Sequence, residues 1–172
     1  GFGPQRETMA GFPWFEKTSL TGPYPVAELN FEDKRFPGNV KMEAFSPFVP
    51  LDSRLSSMPA AHFEFEITNN DEEALDYALY GCIGFPFNDA AVETKIDDQT
   101  SLIGRAVCET KSVDYGEVCM ATDHKDTSYQ RNTFRGSWFD TMEVYWQDIS
   151  APGKLNDRFY GADGKRTIDI PQ

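Results

Sequence analysis

The sequence predicts a mainly β fold, an antiparallel β-sandwich with one short amphipathic helix. Three observations carry that expectation. Apolar residues alternate with polar ones in several runs between Tyr24 and Thr122, and clusters of Asn, Asp, Gly and Pro separate those runs. A single segment, Trp138 to Ile149, repeats its large apolar residues at helical spacing instead.

Residues 1–22 are rich in Gly and Pro and have no period, yet Phe12, Trp14 and Phe15 are too apolar for a free tail. They read as an arm that lies on the domain or on a partner. From Tyr24 the apolar positions fall on every second residue, through Val26 and again at Ala27, Leu29 and Phe31, with Pro25 marking an edge position. Val40, Met42 and Ala44 alternate with Lys41 and Glu43, a second strand that ends at Ser46. The third strand is the clearest: Ala61, Phe63, Phe65 and Ile67 point to the core, and His62, Glu64, Glu66 and Thr68 point away. Asn69 to Glu73 is a turn cluster, so Leu75, Tyr77, Leu79, Gly81 and Ile83 are expected to run back antiparallel as a fourth strand of a meander. After a loop from Pro86 to Gln99, two more strands are expected at Leu102 to Glu109 and Gly116 to Thr122. In the helical segment Ser137 with Asp140 suggests a capping box, and Gly153 a terminator. The tail from Gly161 reads as polar, with Ile168 and Ile170 in a possible final edge strand.

At 172 residues one domain is the default. No apolar run approaches the roughly 20 residues of a membrane-spanning helix, and Gly1 to Glu7 show no basic segment leading into an apolar one. A net charge of −12 repels phosphate backbones, which argues against nucleic acid as a partner. Cys82, Cys108 and Cys119 lack metal-ligand spacing and sit in apolar runs, so buried thiols are expected, with a Cys108–Cys119 bridge the alternative; the compartment stays open. Asp123-His124-Lys125-Asp126 matches no zinc or EF-hand spacing and reads as a polar turn. Neither histidine, His62 or His124, accompanies a nucleophile-elbow pattern, which disfavours a Ser or Cys hydrolase.

Glu43-Ala44-Phe45-Ser46-Pro47-Phe48-Val49-Pro50-Leu51, followed by Ser56-Ser57-Met58-Pro59 and the strand to Thr68, resembles the N-terminal domain of glycoside hydrolase family 116, the non-lysosomal glucosylceramidase and bile-acid β-glucosidase group. Asn69 to Asp76, Gly116 to Thr122, Trp138-Phe139-Asp140 and Tyr145 to Leu155 resemble further motifs of that family in the same order. Gln147 stands where the family usually has an acidic residue.

The resemblance implies a fragment of a longer enzyme, with an N-terminal arm over 1–22 and an accessory β-sandwich domain over 23–172. In that family the catalytic acids lie in a separate helical domain, so it assigns this chain no catalytic residue, no cofactor and no metal. The isolated chain is expected to carry no glycosidase activity. Retaining hydrolysis requires two carboxyl groups about 5–5.5 Å apart, and pairs such as Asp97-Asp98, Asp123 with Asp126, and Glu64 with Glu66 read as solvated surface. The implied partner is the helical catalytic domain of the same protein, which this domain would brace while shaping one side of the active-site mouth. Phe12, Trp14 and Phe15 in the arm, with Phe48 and Leu51 in the Pro-rich loop, are the interface candidates, because they lie outside the alternating strands. A carbohydrate is the other candidate partner, through Trp14, Phe15, Tyr24, Phe85, Phe87 or Tyr129. That alternative would make the domain a free-standing carbohydrate-binding module; a purely structural domain is the third reading.

Overall fold

The computed structural model describes residues 11–87, 90–96, 100–131, 140–151 and 153–157. It is mainly β, with two antiparallel sheets. The chain divides into two compact units, one of Pro13–Ala78 and one of Gly1–Phe12 with Leu79–Gln172.

The first unit holds β1 (Lys17–Thr21), β2 (Val26–Glu32), β3 (Asn39–Phe45), α1 (Ser53–Ser56) and β4 (His62–Thr68). Its strands form one antiparallel sheet in the order β1-β2-β3-β4. Strand β1 falls at the end of the segment expected to be an arm, where Lys17 to Thr21 have too few apolar residues to announce a strand. It is held by pairing with β2, and Lys17 binds Glu32 across the pair at 3.0 Å.

Register sorts the residues cleanly. Leu20, Leu29, Met42 and Phe65 lie abreast on one face, with Phe31, Val40 and Ile67 beside them. The other face carries Glu28, Asn30, Lys41, Glu43, Glu64 and Glu66. Alternation therefore sends Phe63, Phe65 and Ile67 to the expected face, but Phe63 is 61% and Phe65 39% exposed, so neither is the core residue expected. The cause is their position on an edge strand, with no neighbouring strand on the far side among the described residues.

That neighbour was expected at 75–83, and no strand forms there. Asn69 closes the turn after β4 by donating to the Glu73 carbonyl at 2.8 Å and accepting from the Asp71 N–H at 2.8 Å. Tyr77 then packs on Phe36 at 5.7 Å, and its hydroxyl donates to the Pro37 carbonyl in the β2–β3 turn. This tertiary anchor, and not a ladder with β4, holds the segment.

The second unit holds β5 (Ala90–Ile96), β6 (Thr100–Ala106), β7 (Glu117–Thr122) and α2 (Asp140–Ser150). Its sheet has the order β5-β6-β7, all antiparallel. Strand β5 lies where a loop was expected. Residues 79–87, of which Leu79, Gly81 and Ile83 were read as the end of a strand and Pro86 as the start of a loop, cross one face of this sheet without regular structure. Phe85 lies on Gly104, Phe87 on Gly116, and Met120 touches the backbone at Gly81. Gly104 is needed there, because a Cβ would run into the Phe85 ring.

Helix α2 presents Tyr145 and Trp146 to Phe12, with ring centroids 6.0 and 5.3 Å apart. Gly153 follows it at φ 99°, a backbone that suits a helix terminator. Ser137, Trp138, Phe139 and the tail from Gly161 lie outside the described residues. The cysteine expectation is corrected: Cys82, Cys108 and Cys119 are free and exposed. Cys108 lies past the end of β6 and Cys82 in the irregular crossing segment, so only Cys119 sits in a strand, and no Cys108–Cys119 bridge forms.

Among the residues whose burial is described, Gly38, Gly104 and Ala106 are the buried ones. Gly104→Ala should therefore cost about 1–3 kcal/mol of stability, the usual range for overpacking, in a denaturant titration of the chain. The double variant with Phe85→Ala should cost less than the sum of the two single changes, since one clash underlies them. Strict additivity would show that Phe85 does not rest on Gly104.

Candidate functional site

The connection from β3 to β4 is built by its own polar groups. The Ser56 hydroxyl accepts from the Val49 N–H at 3.0 Å and donates to the Val49 carbonyl at 2.9 Å, which closes Val49 to Ser56 into a compact ring. Asp52 caps α1 by accepting from the Leu55 N–H at 2.9 Å, and its own N–H donates to the Val49 carbonyl at 3.0 Å. The Ser57 hydroxyl donates to the Ser53 carbonyl at 2.6 Å.

This frame fixes Leu51 at φ 65°, the left-handed region that a leucine avoids. Such a conformation costs of order 1–3 kcal/mol. Leu51 is also fully exposed, at 108% of its reference area. Tyr24, 81% exposed, packs edge-on against Phe48 at 5.4 Å, and Phe48, Val49 and Met58 are exposed beside it. A shallow groove of about 390 Å³ runs between them, lined by Tyr24, Pro25, Phe45, Pro47, Phe48 and Ala61.

The arm meets the same sheet at its other end. Phe15 packs on Phe31 and Phe36, both at 5.4 Å, whereas Trp14 stays 66% exposed. An ionic clasp fastens this contact. The Asp33 carboxylate, its side chain only 7% exposed, accepts from the Arg35 guanidinium at 2.6 and 2.9 Å, from the Arg35 N–H at 2.9 Å and from the Glu16 N–H at 3.2 Å. Arg35 also reaches the Trp14 carbonyl at 3.3 Å. The Arg35 side chain first, then these backbone donors, hold the Asp33 carboxyl far below the ordinary carboxylate range. Phe31 and Asp33 mark one end of β2 and Tyr24 the other, about 20 Å apart at ~3.3 Å per residue, so arm and loop make two surfaces and not one. Phe12 lies in the second unit, against α2.

On the polar face Lys41 binds Glu28 at 3.0 Å and Glu43 at 2.8 Å, which keeps its amine above and the Glu28 carboxyl below their usual values. A shallow depression of about 440 Å³ there is lined by Ser19, Asn30, Glu32, Lys41, Glu66 and Thr68. Glu64 and Glu66 are both exposed. The Asp123–Asp126 turn is closed by Lys154 on Asp126 at 2.5 Å and by His124 Nδ1 near the Asp126 carbonyl at 3.3 Å. Among the described residues no group of three His, Cys, Asp or Glu side chains is placed to hold a metal ion. No described helix is long and apolar enough to cross a membrane.

Of the aromatic residues suggested for sugar contact, Phe85 and Phe87 are taken up on Gly104 and Gly116, while Trp14 and Tyr24 face solvent. Residues 3–168 match the family described as beta-glucosidase 2, glycosyl-hydrolase family 116 N-term. The chain belongs to this family. It is therefore an accessory domain of a glycoside hydrolase, and the family implies a catalytic domain in the same protein. A comparison with the curated proteins found no match.

The clasp at Asp33 sets a pH dependence. Its folded pKa is depressed, so its stabilisation is complete above the ordinary carboxylate pKa of about 3.9 and is lost as pH falls through the lower folded value. Asp33→Asn should lower stability at neutral pH and flatten the loss of stability below pH ~4, as read from unfolding midpoints across pH. Parallel curves for the two proteins would remove Asp33 from this role.

Proposed function

We propose that this family 116 domain braces the helical catalytic domain of a β-glucosidase or glucosylceramidase-like enzyme and shapes one side of its active-site mouth. The docking element is the loop between β3 and β4. The observation that carries this reading is Leu51, an apolar side chain held fully exposed on a strained backbone by a dedicated hydrogen-bonded frame. A surface leucine gains nothing from such confinement in water. Seated in an apolar pocket, it would lose about 1.5–3 kcal/mol worth of contact with water, comparable to the strain it carries.

Phe48, Val49, Met58 and Tyr24 extend the same surface, and an exposed apolar cluster of this kind marks an interaction site. The arm supplies a second contact at the far end of the sheet, where Phe15 and the Asp33 clasp hold Trp14 outward. Phe12 packs on α2 within the other unit.

Hydrogen exchange compares the free and docked states directly. In the full-length enzyme the amides of Phe48 to Ser57 should exchange at least ~10-fold more slowly than in the chain alone, corresponding to about 1.4 kcal/mol of protection. Equal rates in both would leave the loop without a partner and favour the free-standing module.

A further inference from the structure

We propose that β4 is a strand-addition site, and that its occupant is a strand of alternating basic and apolar residues from the catalytic portion of the same enzyme. The inference rests on the reading of this chain as an accessory domain and deepens it by naming a second, backbone-mediated contact.

Three observations meet at this edge. Among the described residues the sheet ends at β4, which pairs there with β3 alone. An edge strand presents alternate N–H and C=O groups to solvent, and proteins blunt such edges with charged side chains, Pro, bulges or very short strands. Strand β4 has no Pro, bulge or shortening: His62–Thr68 runs seven residues in unbroken register with β3, and its charges are Glu64 and Glu66, both of one sign. The opposite edge, β1, has five residues and begins with Lys17. Secondly, the segment expected to cover β4 forms no ladder with it: Tyr77 is held at the β2–β3 turn, on Phe36 and Pro37.

Thirdly, the side chains specify the occupant. Glu64 and Glu66 lie on the polar face with no ion-pair or hydrogen-bond partner among the described residues. Glu64 sits directly across from Glu43, and Lys41 is already engaged by Glu28 and Glu43. Like charges facing each other across a strand pair are destabilising. A second copy of β4 pairing edge to edge would add two more glutamates to this row. A strand with Lys or Arg at alternate positions would instead neutralise it. Its intervening apolar residues would continue the row of Leu20, Leu29, Met42 and Phe65 and cover the exposed rings of Phe63 and Phe65. This is β-augmentation, in which main-chain bonds supply affinity and alternate side chains supply selection.

The test is residue-resolved hydrogen exchange in the full-length enzyme, as wild type, as Glu64→Lys/Glu66→Lys and as Glu64→Gln/Glu66→Gln. With the edge occupied, the alternate β4 amides that point away from β3 should exchange within ~10-fold of those bonded to β3. Charge reversal should speed the outward set at least ~10-fold, with the Gln pair intermediate. An outward set that stays fast in the wild type, protection that grows with protein concentration, or protection indifferent to charge reversal would each overturn the proposal. Protection of Phe48 to Ser57 with an open β4 would sink this inference alone; loss of both would sink the docking reading with it.

Discussion

An antiparallel sheet with one apolar face is stable only when something covers that face. Everything else in this chain follows from how the two sheets meet that demand. In the second unit the cover is local: residues 79–87 cross the sheet, and Phe85 settles on Gly104, one of the buried residues among those whose burial is described. In the first unit the cover is partial. Phe15, Phe36 and Tyr77 protect the Phe31 end of the face, while Leu20, Phe63 and Phe65 at the sheet's two edges keep much of their surface in water. Under the proposed bracing role, docking would cover this surface and add stability, which would join the accessory domain energetically to its enzyme.

Period two made β2, β3 and β4 legible, together with the faces of their residues, because alternation constrains side-chain direction however a strand is paired. The same rule misled at 75–83. Leu75, Tyr77, Leu79 and Ile83 alternate as a strand would, but the Tyr77 hydroxyl is bonded to the Pro37 carbonyl and the segment forms no ladder. Strands β1 and β5 were missed for the converse reason, since neighbouring strands pair with them despite a weak apolar pattern of their own. The cysteines looked buried because their neighbours in sequence are apolar, a signal that says nothing about which side a turn exposes.

Legibility of the candidate site was divided in the same way. The Pro-rich phrase around Phe48 and Leu51 was visible as a motif, whereas the short helix α1 inside it and its Asp52 cap were not read from the sequence. The Ser56 clamp and the Asp33–Arg35 clasp were not visible, because each joins groups whose proximity depends on the turn between them. The left-handed Leu51 was equally hidden: no residue preference points to leucine there, and only the closed frame from Val49 to Ser56 imposes it.

The account centres on the loop as a mechanical link between accessory and catalytic domains. Scanning calorimetry of the full-length enzyme, wild type against Phe48→Asp/Leu51→Asp, tests it most directly. Both side chains are exposed in this domain, so the substitutions should leave its own fold intact. The account predicts one coupled unfolding transition in the wild type and two separate transitions in the variant. A variant that unfolds in the same single transition as the wild type would contradict it.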